Sequence, residues 1–251
     1  MTLTARLRAA GCVYAEDEAA LLTEAALTPD HLETMVSQRI AGQPLETVLG
    51  WAQFLGRRII VEPGVFGPRR RTEHLVRQAA TLIRPPAVVV DLCCGSGAVG
   101  ALLAQAGFDV HATDIDPAAV RCARRNIRTG HVYQGDLYQP LPATLRGRIH
   151  LLAANTPYVP THVIPTMPPE ARNHEPHTAL DGGPDGLDIA RRVVKEAPEW
   201  LAPGGHLLIQ TSTRQAPHLA DTMTAHGLTP KVAYDEELDA TVVIGHHNAV
   251  K

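Results

Sequence analysis

From residue 87 onward the chain alternates between apolar stretches rich in β-branched residues and stretches with helical spacing. AVVVDL (87–92) is typical of a buried strand because its valines are uninterrupted, and GAVGALLAQAG (97–107) repeats apolar residues every three to four positions. The same alternation predicts strands at 109–115, 131–137, 148–155 and 204–212, and two more within 229–246. Repeated strand–helix units form parallel sheets covered by helices. The sequence therefore predicts an α/β fold with a mostly parallel sheet and an antiparallel edge.

The residues before this pattern predict two smaller units. Residues 1–45 carry apolar residues at helical spacing and predict a helical region, in which Thr28 is placed to cap a helix. Residues 46–71 contain β-branched and aromatic residues interrupted by glycines, so they predict a β-hairpin and linker. We assign 72–251 to the main domain, which begins with a predicted helix over 72–83.

Composition and charge narrow the class of function. A net charge of −3 and a pI of about 6.5 argue against direct binding of nucleic acid, which usually requires a basic domain. The four cysteines match no spacing of a zinc or redox site, so we predict reduced thiols, a cytoplasmic protein and no metal. We see no signal peptide and no membrane-spanning stretch. The sequence does not indicate an oligomeric state.

Acidic residues follow three successive strands of the predicted sheet. Asp91, Gly95 and Gly97 occur in DLCCGSGAVG, and the next two strands end in ATDID with Asp114 and GDLYQPL with Asp136. Glycines at such a turn allow close approach of a ligand, and ligands of open α/β sheets bind at the carboxyl ends of strands. None of the three acids has an evident partner nearby in sequence. We expect Asp114 to bind ribose hydroxyls and Asp136 an adenine amino group, and an acidic pocket suits cationic S-adenosylmethionine better than a pyrophosphate.

The fourth strand runs directly into Asn155-Thr156-Pro157-Tyr158. The lone pair of an amide nitrogen is delocalised, so hydrogen-bond acceptors on both of its N–H bonds would favour the geometry of attack. The Asn155 side chain and the next backbone carbonyl can supply these acceptors, and proline stiffens the turn. The alternative is that Asn155 only caps the loop through an Asx-turn. The Pro-, His- and Gly-rich stretch 156–186 is too long for a plain connection and predicts a functional loop.

These motifs resemble those of a known class of enzymes. The D-x-x-x-G-x-G turn, the strand-end acids and N-x-P-Y together resemble class I S-adenosylmethionine methyltransferases, which have a Rossmann-like sheet. GQPLETVLGWAQFLGRRIIVEPGVFGPRRRTEHLV (42–76) and EPHTALDGGPDGLDIARRVV (175–194) are similar to segments of the HemK/PrmC family, the protein-glutamine N5-methyltransferases of release factors. The match extends from about residue 43 to 212.

The resemblance implies roles for particular residues. It implies methyl transfer from S-adenosyl-L-methionine to a glutamine side chain of a protein or peptide, with a peptide chain release factor as the candidate partner. The catalytic residues would be Asn155, Thr156 (through its backbone carbonyl), Pro157 and Tyr158. The cofactor contacts would be Asp91, Cys93, Gly95, Gly97, Asp114, Ile115, Asp136, Leu137 and Asn155. The substrate contacts would be Arg69, Tyr158 and Glu175.

The chain departs from the family pattern at several positions. Thr156 replaces the first proline of Asn-Pro-Pro-Tyr, Cys93 replaces a glycine, and the segment 67–73 differs from the usual Ile-Pro-Arg-Pro-Glu-Thr-Glu. The sequence therefore leaves other acceptors open: a small molecule, a peptide natural product, or an exocyclic amine in DNA or RNA. Glu175 and Asp185 could equally be loop anchors in salt bridges.

Overall fold

The computed structural model describes residues 1–248. Its N-terminal part contains helices α1 (Leu3–Ala9), α2 (Ala15–Ala25), α3 (Pro29–Ile40) and α4 (Leu45–Leu49). The helices share an apolar core built on Leu7, Leu22 and Val36. As expected, Thr28 caps α3, because its hydroxyl accepts a hydrogen bond from the His31 backbone N–H at 3.1 Å.

The predicted hairpin begins later than expected. Residues 46–49, which we assigned to it, belong to α4, because Leu45, Val48 and Leu49 pack on the N-terminal core. Gly50, with φ +76°, ends that helix in a left-handed conformation that favours glycine. Strands β1 (Trp51–Phe54) and β2 (Arg57–Ile60) then form the predicted antiparallel hairpin.

A seven-stranded sheet forms the centre of the main part. Its strands are β3 (Val88–Leu92), β4 (Asp109–Asp114), β5 (His131–Gln134), β6 (Ile149–Ala154), β7 (Leu201–Thr211), β8 (Leu228–Asp235) and β9 (Ala240–His247). The order across the sheet is β5-β4-β3-β6-β7-β9-β8, and all neighbours are parallel except the pairs that involve β9. The predicted α/β class, parallel sheet and antiparallel edge are confirmed.

Alternate residues of the strands pack into two cores, one on each face of the sheet. Leu92 and Leu152 contribute to one core, whereas Val89 and Leu151 contribute to the other. The helices that cover the sheet are α5 (Glu73–Leu82), α6 (Ala98–Gln105), α7 (Pro117–Asn126), α10 (Asp188–Trp200) and α11 (Ala216–Ala225). Within residues 1–248, none of the helices is long and apolar enough to cross a membrane.

Strand β7 starts three residues earlier than the sequence indicates. The predicted strand covers residues 204–212, but β7 begins at Leu201, which pairs with Ile149. The pairing with β6 then shifts register before Leu151, which lies opposite His206. The extra residues are therefore accommodated as an irregularity inside the strand.

The long segment after β6 is not an irregular loop. It contains a 3-10 helix at Thr161–Thr166 followed by two short helices, α8 (Pro169–His174) and α9 (His177–Leu180). Prolines precede or open each of these helices, where the missing N–H costs no hydrogen bond. Prolines alternate with helix-compatible residues in this segment, so it lacks the regular apolar spacing of a helix. Sequence periodicity therefore did not predict these helices.

An ion pair fastens this segment to the N-terminal helices. Buried Arg39 donates from Nε to Glu18 at 2.6 Å, and its Nη1 donates to Glu170 of α8 at 3.1 Å. Arg39 also donates to the backbone carbonyl of Gln43 at 2.9 Å. A guanidinium with this number of partners can be buried at acceptable cost.

We expect Arg39→Ala to destabilise the chain by about 3–5 kcal/mol, because it leaves the Glu18 carboxylate buried and unpaired. Chemical denaturation followed by circular dichroism measures the change. Arg6→Ala is the matched control, since Arg6 pairs with Glu33 on the surface of the same helices and should cost much less. Equal losses in the two variants would contradict the assignment of Arg39 as a buried anchor.

Candidate active site

A cavity of about 350 Å³ opens at the carboxyl ends of β3, β4, β5 and β6. This volume lies within the range of small-molecule sites, about 300–1,000 Å³. Ten of the residues predicted from sequence line it: Cys93, Gly95, Asp114, Ile115, Asp136, Leu137, Asn155, Thr156, Pro157 and Tyr158. The cavity thus joins the predicted cofactor contacts to the predicted catalytic turn.

The turn after β3 is held against the end of β4. The Gly95 N–H donates to the Asp114 carboxylate at 2.8 Å, and the Cys94 N–H donates to the Thr113 carbonyl at 3.1 Å. A second backbone N–H, from Asp116, donates to the other Asp114 oxygen at 2.9 Å. Each oxygen of this carboxylate keeps a further lone pair, so each can accept a hydrogen bond from one of the two ribose hydroxyls. Burial nevertheless raises the pKa of Asp114, so a hydrogen-bonding or cationic ligand would stabilise its charge.

Cys93 and Leu137 adopt a backbone conformation that side chains rarely take. Their φ angles are +55° and +49°, in the left-handed region, and both residues line the cavity. Such residues cost about 1–3 kcal/mol each and persist where the surroundings determine the backbone. The glycine that the resemblance places at position 93 would adopt this conformation without the strain that a side chain causes, whereas Cys93 adopts it at that cost.

Two predicted cofactor contacts lie beneath the cavity instead of on its surface. Asp91 is buried and accepts a hydrogen bond from the Gly100 N–H at 2.9 Å, so it fixes the start of α6. Gly97 faces α7, where an added Cβ would lie 2.9 Å from the Ala123 Cα. The sequence motif does not distinguish a glycine that faces the ligand from one that allows two helices to approach.

The third strand-end acid has a partner that sequence reasoning missed. The Arg192 guanidinium donates to Asp136 Oδ2 at 2.6 Å, and both residues line the cavity. Arg192 comes from α10, 56 residues away, and nothing in the local sequence marks the contact. The three acids had no evident partner nearby in sequence, and the structure supplies partners that are mostly distant: backbone N–H groups serve Asp91 and Asp114, and Arg192 serves Asp136.

The Asn-Thr-Pro-Tyr turn forms the opposite wall. The Asn155 side-chain oxygen and the Thr156 hydroxyl are buried, and neither has a hydrogen-bond partner within residues 1–248. Groups of this kind are normally paired, because an unpaired buried polar atom costs about 1–3 kcal/mol. An Asx-turn, the alternative reading of Asn155, would have used the oxygen of that side chain. Its lack of a partner favours a ligand-binding role.

Two glycines of the segment 175–194 explain why that segment accompanies N-x-P-Y. A Cβ on Gly182 would lie 2.6 Å from the Pro157 carbonyl oxygen, and one on Gly186 would lie 2.2 Å from that of Tyr158. The Gln215 side-chain amide donates to the Tyr158 carbonyl and to the Asp185 carbonyl, both at 2.9 Å. The glycines and Gln215 therefore fix the backbone of the catalytic turn.

Arg69 and Glu175, both predicted to bind substrate, lie outside the cavity. They form an ion pair with each other, and Arg69 also lies over the Phe66 ring at 5.0 Å. The pair ties the segment around α9 to the linker before α5. Asp185 likewise pairs with Arg191, which lowers the pKa of that carboxyl to about 2. Both acids therefore form the ion pairs that the loop-anchor interpretation requires, and the substrate role of Glu175 stays a prediction.

The segment around α9 adds residues to the cavity wall that the sequence did not indicate. His177, Thr178 and Asp181 from α9 and its end line the cavity, as do Phe66 and Thr113. No group of three or more His, Cys, Asp or Glu side chains in the described part of the chain is arranged to hold a metal ion. The four cysteines, all within this part, are free thiols.

Comparison with known proteins identifies the family. A profile described as a methyltransferase domain matches residues 89–174. The release factor glutamine methyltransferase of Geobacter sulfurreducens is 37% identical over 199 residues, which cover 76% of this chain and 69% of that protein. The chain belongs to the release factor glutamine methyltransferase family.

Two other comparisons bear on acceptor and fold. The 4-amino-L-phenylalanine/4-methylamino-L-phenylalanine methyltransferase of Streptomyces pristinaespiralis is 37% identical over 72% of this chain and 65% of its own length. A crystal structure of a methyltransferase from Pyrococcus furiosus aligns with a TM-score of 0.60 over 77% of this chain and 90% of that one. At 18% identity the latter shows the fold alone.

Family membership establishes that the protein is an S-adenosylmethionine-dependent methyltransferase. The cavity fits this cofactor: Asp114 presents two carboxylate oxygens for a ribose, and exposed Ile115 offers an apolar surface for a base. Four aspartates, Asp114, Asp116, Asp136 and Asp181, share the cavity with one arginine, Arg192, so the charge there suits a cationic ligand.

The buried Asp91 predicts a pH dependence of stability without cofactor. Burial raises its pKa from 3.8 to about 7, so between these values the folded chain holds a proton that the unfolded chain has lost. The free energy of unfolding therefore falls as the pH rises through this window and levels off above it. Asp91→Asn removes this contribution, whose upper bound is about 4 kcal/mol.

Denaturant unfolding at pH 5 and pH 8 measures this effect. The stability of Asp91→Asn relative to the wild type should increase from the lower to the higher pH, whereas Asp221→Asn, on the surface of α11, should follow the wild type at both. Parallel profiles of the wild type and Asp91→Asn would show that Asp91 does not titrate in this range.

The packing of Gly182 predicts a loss of turnover in Gly182→Ala. The new Cβ meets backbone carbonyls, and a displacement of the turn on the order of 1 Å can cost up to about 100-fold in rate. Initial rates of methyl transfer to a release-factor acceptor measure the loss. Gly67→Ala is the control, because its Cβ would meet only Val61 at 3.8 Å. An unchanged rate in Gly182→Ala would show that this packing does not position the turn.

Proposed function

We propose that this enzyme methylates the side-chain amide nitrogen of a glutamine in a protein, with a peptide chain release factor as the substrate. The observation that carries the proposal is the buried, unpartnered oxygen of Asn155 on the wall of the cofactor cavity. Family membership supports the same acceptor, since the relatives at 34–39% identity include several named release factor glutamine methyltransferases.

The turn supplies what a carboxamide nitrogen needs for attack. Asn155 Oδ1 and the Thr156 carbonyl accept hydrogen bonds from the two N–H groups of the carboxamide, and Tyr158 packs against its flat face. When bound, S-adenosylmethionine supplies an electrophilic methyl carbon. The acceptor nitrogen would form its new bond to that carbon, and sulfur would keep the electron pair of the broken carbon–sulfur bond. The nitrogen then releases one proton to solvent. Rate enhancement comes mainly from alignment and from preorganised acceptors.

We further propose that residues 1–45 and the linker 46–71 help to hold the substrate protein, while 72–251 performs the transfer. The ion pair Arg39–Glu170 supports this division of work, because it joins the N-terminal helices to the segment that lines the cavity. A release factor acts on the ribosome, so a cytoplasmic location follows from this substrate and stays a prediction.

The second candidate is a small aromatic amine. It is favoured by the relative that is named a methyltransferase of 4-amino-L-phenylalanine, and by the departure of Thr156 from the usual proline. An arylamine nitrogen also presents two N–H bonds, so Asn155 would serve it equally well. Transfer to nucleic acid is a third outcome, which the net charge of −3 does not favour.

Labelled S-adenosylmethionine, offered with a release factor, with 4-amino-L-phenylalanine or with RNA, tests the proposal. We expect label on a release-factor glutamine, and a loss on the order of 100-fold or more in kcat for Asn155→Ala. Asn173→Ala, on the exposed surface of α8, should retain wild-type rates. Label only on the amino acid or only on RNA would overturn glutamine as the acceptor, while the assignment as a methyltransferase would stand.

A further inference from the structure

The hydroxyl of Thr156 has no function in the scheme above, which uses only the backbone carbonyl of that residue. Thr156 is 2% exposed and lines the cavity beside Asn155. Its Oγ1 exposes less than 1 Å² and has no hydrogen-bond partner within residues 1–248. It is thus a buried donor and acceptor on a residue that lines the cavity beside Asn155.

An unpaired hydroxyl at this place is costly. Burial without a partner disfavours the folded state by about 1–3 kcal/mol, whereas the proline found here in the family has no polar side-chain atom. No neighbouring side chain or backbone group of the turn satisfies the hydroxyl. A ligand in the cavity can satisfy it after rotation about the single χ1 bond, which moves Oγ1 between staggered positions.

The chemistry of the acceptor indicates which of its atoms would fit. A carboxamide offers two N–H donors on one side and a carbonyl acceptor on the other. The Asn155 oxygen and the Thr156 carbonyl can only accept, so they match the N–H donors. A hydroxyl can donate, and the remaining unmatched atom of the acceptor is its carbonyl oxygen.

We propose that the Thr156 hydroxyl donates a hydrogen bond to the carbonyl oxygen of the acceptor amide. Thr156 is then a specificity-determining residue that distinguishes a carboxamide from an amine, which has no such oxygen. The inference rests on the proposed function and deepens it, because it assigns the threonine that replaces the usual proline to recognition of the substrate.

This hydrogen bond should act on binding more than on turnover. In the free amide the nitrogen lone pair is delocalised onto oxygen, and that negative charge declines as the nitrogen takes the methyl group. The oxygen therefore becomes a weaker acceptor in the transition state. An interaction that is not strengthened there contributes to KM and not to kcat.

Thr156→Val tests the inference, because it removes the hydroxyl and keeps the shape. With a release factor as acceptor, we expect KM to rise about tenfold or more while kcat changes by less than about threefold, as befits one lost hydrogen bond. Thr156→Ser keeps the hydroxyl and should restore the wild-type KM. The affinity for S-adenosylmethionine alone, measured by calorimetry, should be equal in all three proteins.

Thr72→Val is the matched control for loss of a buried, unpartnered hydroxyl. Thr72 is 4% exposed, its hydroxyl also lacks a partner, and it does not line the cavity. Its substitution should leave KM unchanged. A wild-type KM in Thr156→Val, or an equal rise in Thr72→Val, would overturn the role of the hydroxyl while the proposed function stands. Absence of transfer to any glutamine by the wild-type enzyme would overturn both.

Discussion

The parallel pairing of β3 with its two neighbours determines where every other part of the site can be. Leu92, the last residue of β3, lies opposite Thr113 of β4 and Ala154 of β6. The next residues of the three strands, Cys93, Asp114 and Asn155, therefore emerge side by side although the chain separates them widely. A slip of one residue would send these side chains to the wrong face of the sheet, so the register of these strand pairs fixes the site.

The site concentrates polar groups that the protein alone does not fully satisfy. Burial raises the pKa of both Asp91 and Asp114, and the side-chain oxygens of Asn155 and Thr156 are buried with no hydrogen-bond partner among the described residues. Cys93 and Leu137 add backbone strain on the same cavity wall. These groups lower the stability of the folded chain at the cavity, whereas the two cores beside it are well packed. Such local destabilisation is typical of a ligand-binding surface.

The sequence predicted the sheet and its antiparallel edge from strand periodicity, and ten of the residues that line the cavity from what comes directly after a strand together with the family resemblance. It did not predict the partners Arg192 and Gln215, which reach the site from α10 and from the turn before α11. Those contacts join residues more than 50 positions apart, and only the topology brings them together. Asp91 and Gly97, also predicted as cofactor contacts, do not line the cavity, and a sequence motif alone does not tell whether a residue faces a ligand or a helix.

The segment between β6 and α10 is held from three directions, and this limits how the chain could be divided. The segment is joined to the sheet by Gln215, to the N-terminal helices by Arg39 and to the linker by Arg69. A catalytic fragment that began at residue 72 would contain the whole sheet but neither of these two arginines. The position of this segment, which contributes His177 and Asp181 to the cavity wall, therefore depends on contacts with the N-terminal helices and the linker as well as with the sheet. Exchange of the N-terminal helices between relatives would change the contact that Arg39 makes with α8, while it left the strand-end residues of β3, β4 and β6 in place.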